Sequence, residues 1–503
     1  MWTYPSRNLV PETGVWIIGD GESLPDRKLL LMRPRPEAQK ERQEMRQGKP
    51  KTVKIGVHEG LRQIRTDAAG IDVGASEIWV DVGVENNAEP VQRFETFTAD
   101  LNRMAKWLNS CGIETVAMES TGVYWIPVCQ ILEDHGIEVA LVNAAHAKNV
   151  SGRKSDVLDC QWLRKLHCYG LLAASFRPAS EIGILRSLMR HRQMLIECAA
   201  GHVQRMQKAM TQMNLQLHHV ISDITGWTGM KIIRAIVGGE RNPQRLAALK
   251  HERTRVDEQT IAKALEGDYR PEHLFALKQC LESFDNYQKQ IEECHGQIAQ
   301  HLKTLESKAD PQAIQPRRPR KSKGKRNQPA FDVREQAFRI SGVDLTGING
   351  ISESAALGII AEIGINMNAW KTEKHFASWL TLCPNNKISG GKVLQRSTRQ
   401  SANRVRDILC LCAQSLINSR SALGAFCRRL RARLGAPKAI VATAHKLALL
   451  VYRMLKFGRD YVDIGQHRYD EKFKERSLRS LARKAQEFGF QLVPTPAEIE
   501  LVP

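Results

Sequence analysis

The chain has 503 residues, of which 42% are hydrophobic and 25% are charged. This composition excludes a disordered chain, and this length excludes a single small domain. Together they predict two or three folded domains with linkers. Lysine and arginine number 74 against 54 aspartate and glutamate, a net charge of +20. A surplus of this size favours a nucleic-acid partner, because binding to phosphates releases counterions. A merely basic protein, or one that binds acidic membranes, is the alternative that charge alone leaves open.

Targeting signals and cysteine spacing indicate the cellular compartment and the redox state of the protein. No secretory pattern opens the chain, and no apolar run approaches the length of a membrane span. The eleven cysteines form no Cys-x-x-Cys pair, and Cys410 and Cys412 are the closest two. This pattern argues against a disulfide framework and against a zinc ribbon. We therefore expect a cytoplasmic protein with reduced thiols and no membrane partner.

Changes of composition predict six segments. These are a basic N-terminal extension (1–65), a catalytic α/β domain (66–180), a long helical insert (181–310), a basic linker (311–337), a helical C-terminal domain (338–463) and a tail (464–503). In the second segment, β-rich runs at 71–84 and 91–97 come first and then alternate with amphipathic runs. That order predicts a mixed sheet with helices packed on it.

The third segment contains two long apolar seams. Residues 185–217 and 273–305 carry apolar side chains at intervals of three and four. Such seams predict a coiled coil, formed within one chain or between two, or else the core faces of ordinary helices. Between them, the glycines of residues 224–241 predict a turn region. The linker at 311–329 is rich in proline, lysine and arginine, which suits a solvated tether or a phosphate-binding strand equally.

Four acidic residues are placed where one metal site could use them. Asp72 is expected at the start of a strand, and Glu119 ends the strand predicted at 115–118. Asp156 and Asp159 are three apart at a helix start, on one face. Carboxylates so placed could bind one or two Mg²⁺ or Mn²⁺ ions for phosphoryl transfer. Each alone would be an ordinary surface charge, so the inference depends on their joint placement.

Two further features surround these carboxylates. Arg153 and Lys154 precede the aspartate pair and could hold substrate phosphates. The run from Asp72 to Ser76 also resembles the opening Asp-x-Gly-x-Ser of sugar kinases and actin-like ATPases. That fold needs a second such element and a glycine-rich adenosine loop, for which Gly238-Gly239 is only a faint candidate.

The C-terminal domain contains two candidate nucleic-acid elements. Residues 347–351, with Asn349 and Gly350, resemble the hairpin of a helix-hairpin-helix element, although such glycine turns also simply cap helices. Ser389 is expected in an exposed loop at 383–392, where nearby cations could favour its attack on a phosphodiester. From chemistry alone a loop serine is usually a turn residue. The other candidate DNA contacts are basic or glycine residues around it: Lys387, Gly390, Gly391, Lys392, Arg396, Arg399 and Arg404.

Taken together, these motifs resemble the DEDD-type transposases of the insertion-sequence one-ten family. The resemblance rests on five short stretches, at 70–73, 118–125, 154–159, 348–351 and 388–392. It covers about 69–177 and 341–460. The chain differs from compact members in its N-terminal extension, its larger insert near 224–272 and its basic linker. No residue roles are therefore carried over between 179 and 339.

The resemblance implies an RNase H-like (RuvC-like) domain whose four acidic residues are Asp72, Glu119, Asp156 and Asp159. It implies a C-terminal transposase domain with Ser389 as nucleophile. It also implies a structured non-coding guide RNA that bridges donor and target DNA in a bacterial nucleoid. Protomers would assemble as dimers and then a tetramer across the coiled coil, with the carboxylates of one protomer meeting the serine of another.

The expected function is therefore an RNA-guided DNA transposase or recombinase. A Holliday-junction-type endonuclease that uses only the carboxylates and water is the first alternative. A nucleic-acid-binding scaffold with a decayed site is the second, although all four acidic positions are intact.

Overall fold

The computed structural model describes residues 63–120, 122–143, 156–309, 327–329, 331–395, 397–399, 402–459 and 461–493. Nearly all of the predicted basic extension and most of the basic linker lie outside these residues. The chain divides into two compact units, Met1–Ser175 and Phe176–Pro503. Among the described helices, none is both long and apolar enough to cross a membrane.

The first unit is built on a five-stranded sheet. Its strands are β1 (Ala68–Val73), β2 (Glu77–Asp81), β3 (Val91–Glu95), β4 (Thr115–Glu119) and β5 (Glu138–Val142). Its helices are α1 (Thr98–Ser110), α2 (Trp125–Asp134) and α3 (Asp156–Cys168). The strand order is β3-β2-β1-β4-β5, with β1, β4 and β5 parallel and β2 antiparallel to both of its neighbours. The predicted mixed sheet is confirmed, but the run at 71–84 is a hairpin of two strands rather than one.

Strand β1 separates two helical layers, because its side chains alternate between the faces of the sheet. Ile71 and Val73 pack into one core with Leu101 of α1 and Leu132 of α2. Gly70 lies on the opposite face, against the backbone of α3. The described helices therefore cover both faces of the sheet, and α3 packs on the face that carries Gly70 and Asp72.

Helix α3 is fixed to the sheet by buried polar contacts. Arg164 donates to Asp81 of β2 at 2.7 Å and to Glu85 at 2.6 Å. The Asp81 side chain is 3% exposed, so leaving it unpaired would cost about 3–5 kcal/mol. His167 is hydrogen-bonded to the Thr115 hydroxyl of β4 at 3.0 Å. Burial lowers the pKa of His167, so its imidazole is neutral at pH 7.

Two long helices of the second unit, α4 (Ser180–Gln212) and α9 (Pro271–Thr304), pack against each other. The His301 ring donates to the Glu181 carbonyl at 2.8 Å, and the Cys294 thiol lies 3.5 Å from the Leu188 carbonyl. Residue numbers rise on one helix as they fall on the other, so the pair is antiparallel. The two predicted seams thus meet within one chain, and a coiled coil between protomers stays a prediction.

Four short helices join the far ends of this pair. They are α5 (Leu217–Val220), α6 (Trp227–Val237), α7 (Pro243–Ala247) and α8 (Glu258–Lys263). Residues 224–241 lie in the connection where the sequence predicts a turn region, but most of them form helix α6. Gly229 stands inside α6 since a Cβ there would overlap the Ile224 backbone, and Gly238 and Gly239 follow the last residue of the helix. Its glycines therefore serve close packing and helix termination.

The remainder of the second unit is mostly helical. Its helices are α10 (Val333–Ser341), α11 (Glu353–Ile363), α12 (Glu373–Trp379), α13 (Arg404–Ser415), α14 (Ala422–Leu434), α15 (Ala436–Phe457) and α16 (Gly465–Glu487). A two-stranded hairpin, β6 (Lys387–Ser389) and β7 (Lys392–Gln395), follows α12. Arg190 of α4 binds both carboxylate oxygens of Glu362, at 2.9 and 2.7 Å. This pair holds α11 to the first half of α4.

Candidate active site

Two of the four predicted carboxylates lie at the same edge of the sheet. β1 and β4 are parallel neighbours in which Ile71 is paired with Met118. Asp72 and Glu119 are therefore the next residues along, and both are half-buried. Asp72 is the penultimate residue of β1. The sequence predicts it at the start of the strand instead. The strand begins earlier because Ala68 and Ala69 are fully buried in it.

The other two carboxylates stand in the first turn of α3, which begins at Asp156. Arg164 contacts Asp81, the residue paired with Gly70, and His167 contacts Thr115, the residue paired with Ala68. Helix α3 therefore runs against the direction of β1. Its first turn lies toward the end of the strand where Asp72 stands.

The electrostatics of Asp72 agree with this convergence. Burial, followed by the charges of Asp156, Asp159 and Glu119 in that order of size, raises the pKa of Asp72 to about 6. A hydrogen bond from the Val73 backbone opposes these effects. Like charges shift each other's pKa in this way only at short range. The four carboxylates therefore share one electrostatic site.

The donor set suits a hard divalent cation, since carboxylate oxygens are the ligands that Mg²⁺ and Mn²⁺ prefer. A cation would relieve the repulsion that raises the Asp72 pKa. Among the described residues, however, no three potential ligands are already arranged to hold a metal ion. The side chains would have to reorient to bind one. The segment just before Asp156, with the predicted Arg153 and Lys154, lies outside the described residues.

Gly70 brings these two pairs of carboxylates together, a role that the sequence analysis did not assign to it. A Cβ on Gly70 would overlap the Cys160 carbonyl oxygen and the Arg164 amide nitrogen of α3. Its neighbour across the β1–β4 pairing is Ala117, which is also small and fully buried. The available signal was a glycine inside a strand, which often marks a close backbone approach.

Ser389, the predicted nucleophile, ends strand β6 rather than lying in an irregular loop. It pairs with Lys392 across the turn residues Gly390 and Gly391. Both glycines have positive φ, 51° and 75°, as a two-residue type I′ hairpin turn requires. Ser389, Lys387 and Lys392 are exposed. The structure thus presents the serine beside the tip of a short hairpin, with a lysine on each strand.

The hairpin is tied to the helices at its base. The Asn385 amide donates to the Ser397 carbonyl at 2.6 Å. Arg399 donates to the carbonyl and hydroxyl oxygens of Ser378 on α12, at 3.0 and 3.2 Å. Arg399 thus has a structural contact, and DNA binding by it stays a prediction. Arg404 is the exposed first residue of α13, whereas Arg396 lies outside the described residues.

The predicted helix-hairpin-helix element lies between α10 and α11. Gly350 has φ of 91°, and a Cβ there would lie 2.8 Å from the Leu416 side chain and 2.9 Å from the Cys412 carbonyl. Packing against the helical core therefore already requires glycine at this position. The Asn349 side-chain oxygen is buried with no hydrogen-bond partner among the described residues. Contacts of both residues with DNA stay predictions.

The position of α3 gives a test that changes no charge. We expect Gly70→Ala to push α3 away from β1, because the new methyl group would overlap its backbone. Hydrogen–deuterium exchange should then speed up in peptides of α3 and β1. Gly183→Ala, a change in open space on helix α4, is the matched control and should leave exchange in the α3 and β1 peptides unchanged. Equal protection of α3 in Gly70→Ala and wild type would contradict this account of the packing.

Two family matches coincide with the two sites. A transposase family, DEDD_Tnp_IS110, matches residues 69–215, which include the sheet and all four carboxylates. A second family, described as transposase IS116/IS110/IS902, matches residues 344–428, which include the hairpin with Ser389. Neither match covers residues 216–343. A search of curated proteins finds no match. These two matches support an IS110-family DEDD transposase.

Proposed function

We propose that the protein is an RNA-guided DNA recombinase that cuts and rejoins donor and target DNA with four carboxylates and Ser389. The convergence of Asp72, Glu119, Asp156 and Asp159 in one electrostatic site is the observation that carries the proposal. A transposase acts on DNA, and this arrangement is suited to phosphoryl transfer at a phosphodiester.

The carboxylates would hold Mg²⁺ or Mn²⁺. When bound, the ion supplies Lewis-acid stabilisation of charge on the phosphate oxygens. β1 and β4 fix the backbone of Asp72 and Glu119, while α3 carries Asp156 and Asp159. The half-buried Asp72 would be the ligand that gains most from neutralisation, because the other three charges disfavour its ionised form.

Ser389 would act as the nucleophile. Its Oγ would attack a DNA phosphate, form a phosphoserine bond and release a DNA 3′-hydroxyl. A 3′-hydroxyl of the other DNA would then displace the serine and restore a phosphodiester. The exposure of Ser389 beside Lys387 and Lys392 supports this role, because cations stabilise the developing oxyanion and bind phosphates.

Guidance by a structured non-coding RNA would supply the choice of sequence, as the resemblance implies. Base pairing can read DNA while the protein holds the shape and backbone of the nucleic acids. The net charge of +20 supports a protein that carries RNA as well as DNA. A homo-oligomer, a dimer that assembles into a tetramer, belongs to the same proposal.

The guide RNA is tested by purification. We expect protein from its own host to carry one discrete, nuclease-sensitive RNA of non-coding origin, which sequencing would identify. The same purification after high-salt washing and nuclease treatment is the control for loosely bound RNA. Heterogeneous RNA, or none, would count against guidance and leave a recombinase directed by protein contacts.

Metal binding is tested through thermal stability. At pH 8 without divalent ions, we expect Asp72→Asn to unfold about 2–4 °C above wild type, because one source of repulsion is removed. Adding Mn²⁺ should raise the thermal unfolding midpoint of wild type but not that of Asp72→Asn. The variant should also lose transposition. Glu89→Gln, an exposed acid elsewhere in the first unit, should behave as wild type.

The same comparison has a defined pH dependence. The folded-state pKa of Asp72, about 6, lies above its ordinary value of 3.8. Ionising Asp72 therefore disfavours the folded state as pH rises through this window. The difference in unfolding temperature between Asp72→Asn and wild type should shrink as pH falls from 7 to 4, because wild-type Asp72 becomes protonated over this range. A constant difference across this range would contradict the shared site.

The nucleophile is tested by trapping the covalent intermediate. We expect wild type to form a denaturant-resistant protein–DNA adduct with its DNA substrate, and Ser389→Ala to form none. Ser480→Ala, an exposed serine on α16, is the control and should form the adduct normally. An equal amount of adduct with Ser389→Ala would refute the assignment. Cleavage without any adduct would instead favour the Holliday-junction-type nuclease that uses only carboxylates and water.

A further inference from the structure

An exposed tryptophan lies in the helical segment that neither family match covers. Trp227 is the first residue of α6, and 56% of its surface is exposed. The Lys231 ammonium lies 4.5 Å from the centre of its ring. The His251 ring meets it edge-on, with centroids 5.1 Å apart and an interplanar angle of 84°. Trp227 thus sits between two polar side chains instead of in a core.

Hydrogen bonds hold the surroundings of Trp227 in place. The hydroxyl of Thr228, which is 8% exposed, is bonded to the Thr254 hydroxyl at 3.0 Å and accepts from the His251 amide at 3.1 Å. The Arg253 amide donates to His251 Nδ1 at 3.1 Å. The loop that carries His251, Arg253 and Arg255 is therefore fixed against the start of α6. A preformed surface loses little entropy when it binds a ligand.

The charge of this surface is strongly positive. Residues 227–256 contain seven lysines and arginines against two glutamates. Four of the cations are engaged within the protein: Arg234 with Asp285, Arg245 with Glu240, Arg241 with the Tyr269 ring and Lys250 with the Val256 carbonyl. The other three, Lys231, Arg253 and Arg255, are exposed and form no ion pair with a carboxylate of the described chain, although Lys231 also lies over the Trp227 ring.

The chemistry of the surface favours one class of ligand. Three exposed cations without a carboxylate partner favour an anionic ligand. Single-stranded nucleic acid combines a flat base, which stacks on aromatic rings, with phosphates that lysine and arginine bind. In a duplex the faces of the bases are covered by their neighbours. The surface is therefore suited to an unpaired strand.

We propose that Trp227 stacks on an unpaired base of single-stranded nucleic acid, while Lys231, Arg253 and Arg255 contact the adjoining phosphates. This site uses neither the four carboxylates nor Ser389. It depends neither on covalent catalysis nor on guidance by RNA, so it can hold or fail independently of the proposed function. RNA and DNA offer the same bases and phosphates, and the experiment distinguishes them.

The test measures binding by the full-length chain. Fluorescein-labelled oligouridylate and oligothymidylate are titrated against wild type, Trp227→Ala and Trp227→Phe. One stacked base contributes about 1–3 kcal/mol, so Trp227→Ala should weaken binding by about 5- to 150-fold. Trp227→Phe should restore most of the affinity. Phe97→Ala, which removes an exposed ring of the first unit, is the matched control and should bind as wild type does.

Two further measurements make the result specific to this surface. Oligonucleotides that contain 5-bromouracil should photo-cross-link to the peptide that includes Trp227. Arg253→Gln with Arg255→Gln should reduce the dependence of log affinity on log salt by about one to two units. The stronger of the RNA and DNA titrations identifies the natural strand. Ser389→Ala should bind normally, since it leaves the surface intact.

Unchanged affinity of a folded Trp227→Ala, together with no cross-link between residues 227 and 256, would overturn the proposal. A change of oligomeric state in Trp227→Ala by light scattering, with oligonucleotide binding intact, would also overturn it and assign the surface to a protein contact. Circular dichroism establishes that each variant is folded.

Discussion

The close approach of helix α3 to strand β1 at Gly70 is the contact on which the arrangement of the four carboxylates depends. The absence of a side chain at one residue allows two backbones to meet, and the Arg164–Asp81 pair keeps them together. Asp72 and Asp156 lie on different elements and are 84 residues apart in sequence. Only this packing makes them parts of one site. The geometry of the carboxylates is thus set by a glycine and an ion pair that take no part in the chemistry.

The site also places a cost on the fold. Burial of Asp72, and the repulsion among four carboxylates at one end of the sheet, together raise the pKa of Asp72. If a cation binds there as proposed, metal affinity and folding stability are linked quantities. The proposed function would then account for a fold that keeps four like charges together, since functional sites commonly cost stability.

Local patterns were sufficient to predict part of this structure. Glu119 and the Asp156–Asp159 pair were placed correctly, because a strand end and one helix turn depend on neighbouring residues only. The position of Asp72 within its strand was missed, since buried alanines extend β1 upstream. The sequence does not predict helix α6, because the function of Gly229 is a contact with Ile224 that no periodicity reveals. At Ser389 the sequence predicts a loop and the structure has a hairpin, for which Gly390-Gly391 is a turn signal.

The length of the antiparallel pair of α4 and α9 can be compared with that of a nucleic-acid strand. Helix α4 has 33 residues, which correspond to about 50 Å at 1.5 Å per residue. Glu362 is bound near its beginning, whereas the segment with Trp227 follows its end. Stacked nucleotides rise about 3.4 Å each, so the helix pair spans the length of roughly fifteen of them. A stacked nucleic-acid strand that contacted both ends of the helix pair would therefore contact them at points more than one helical turn of DNA apart.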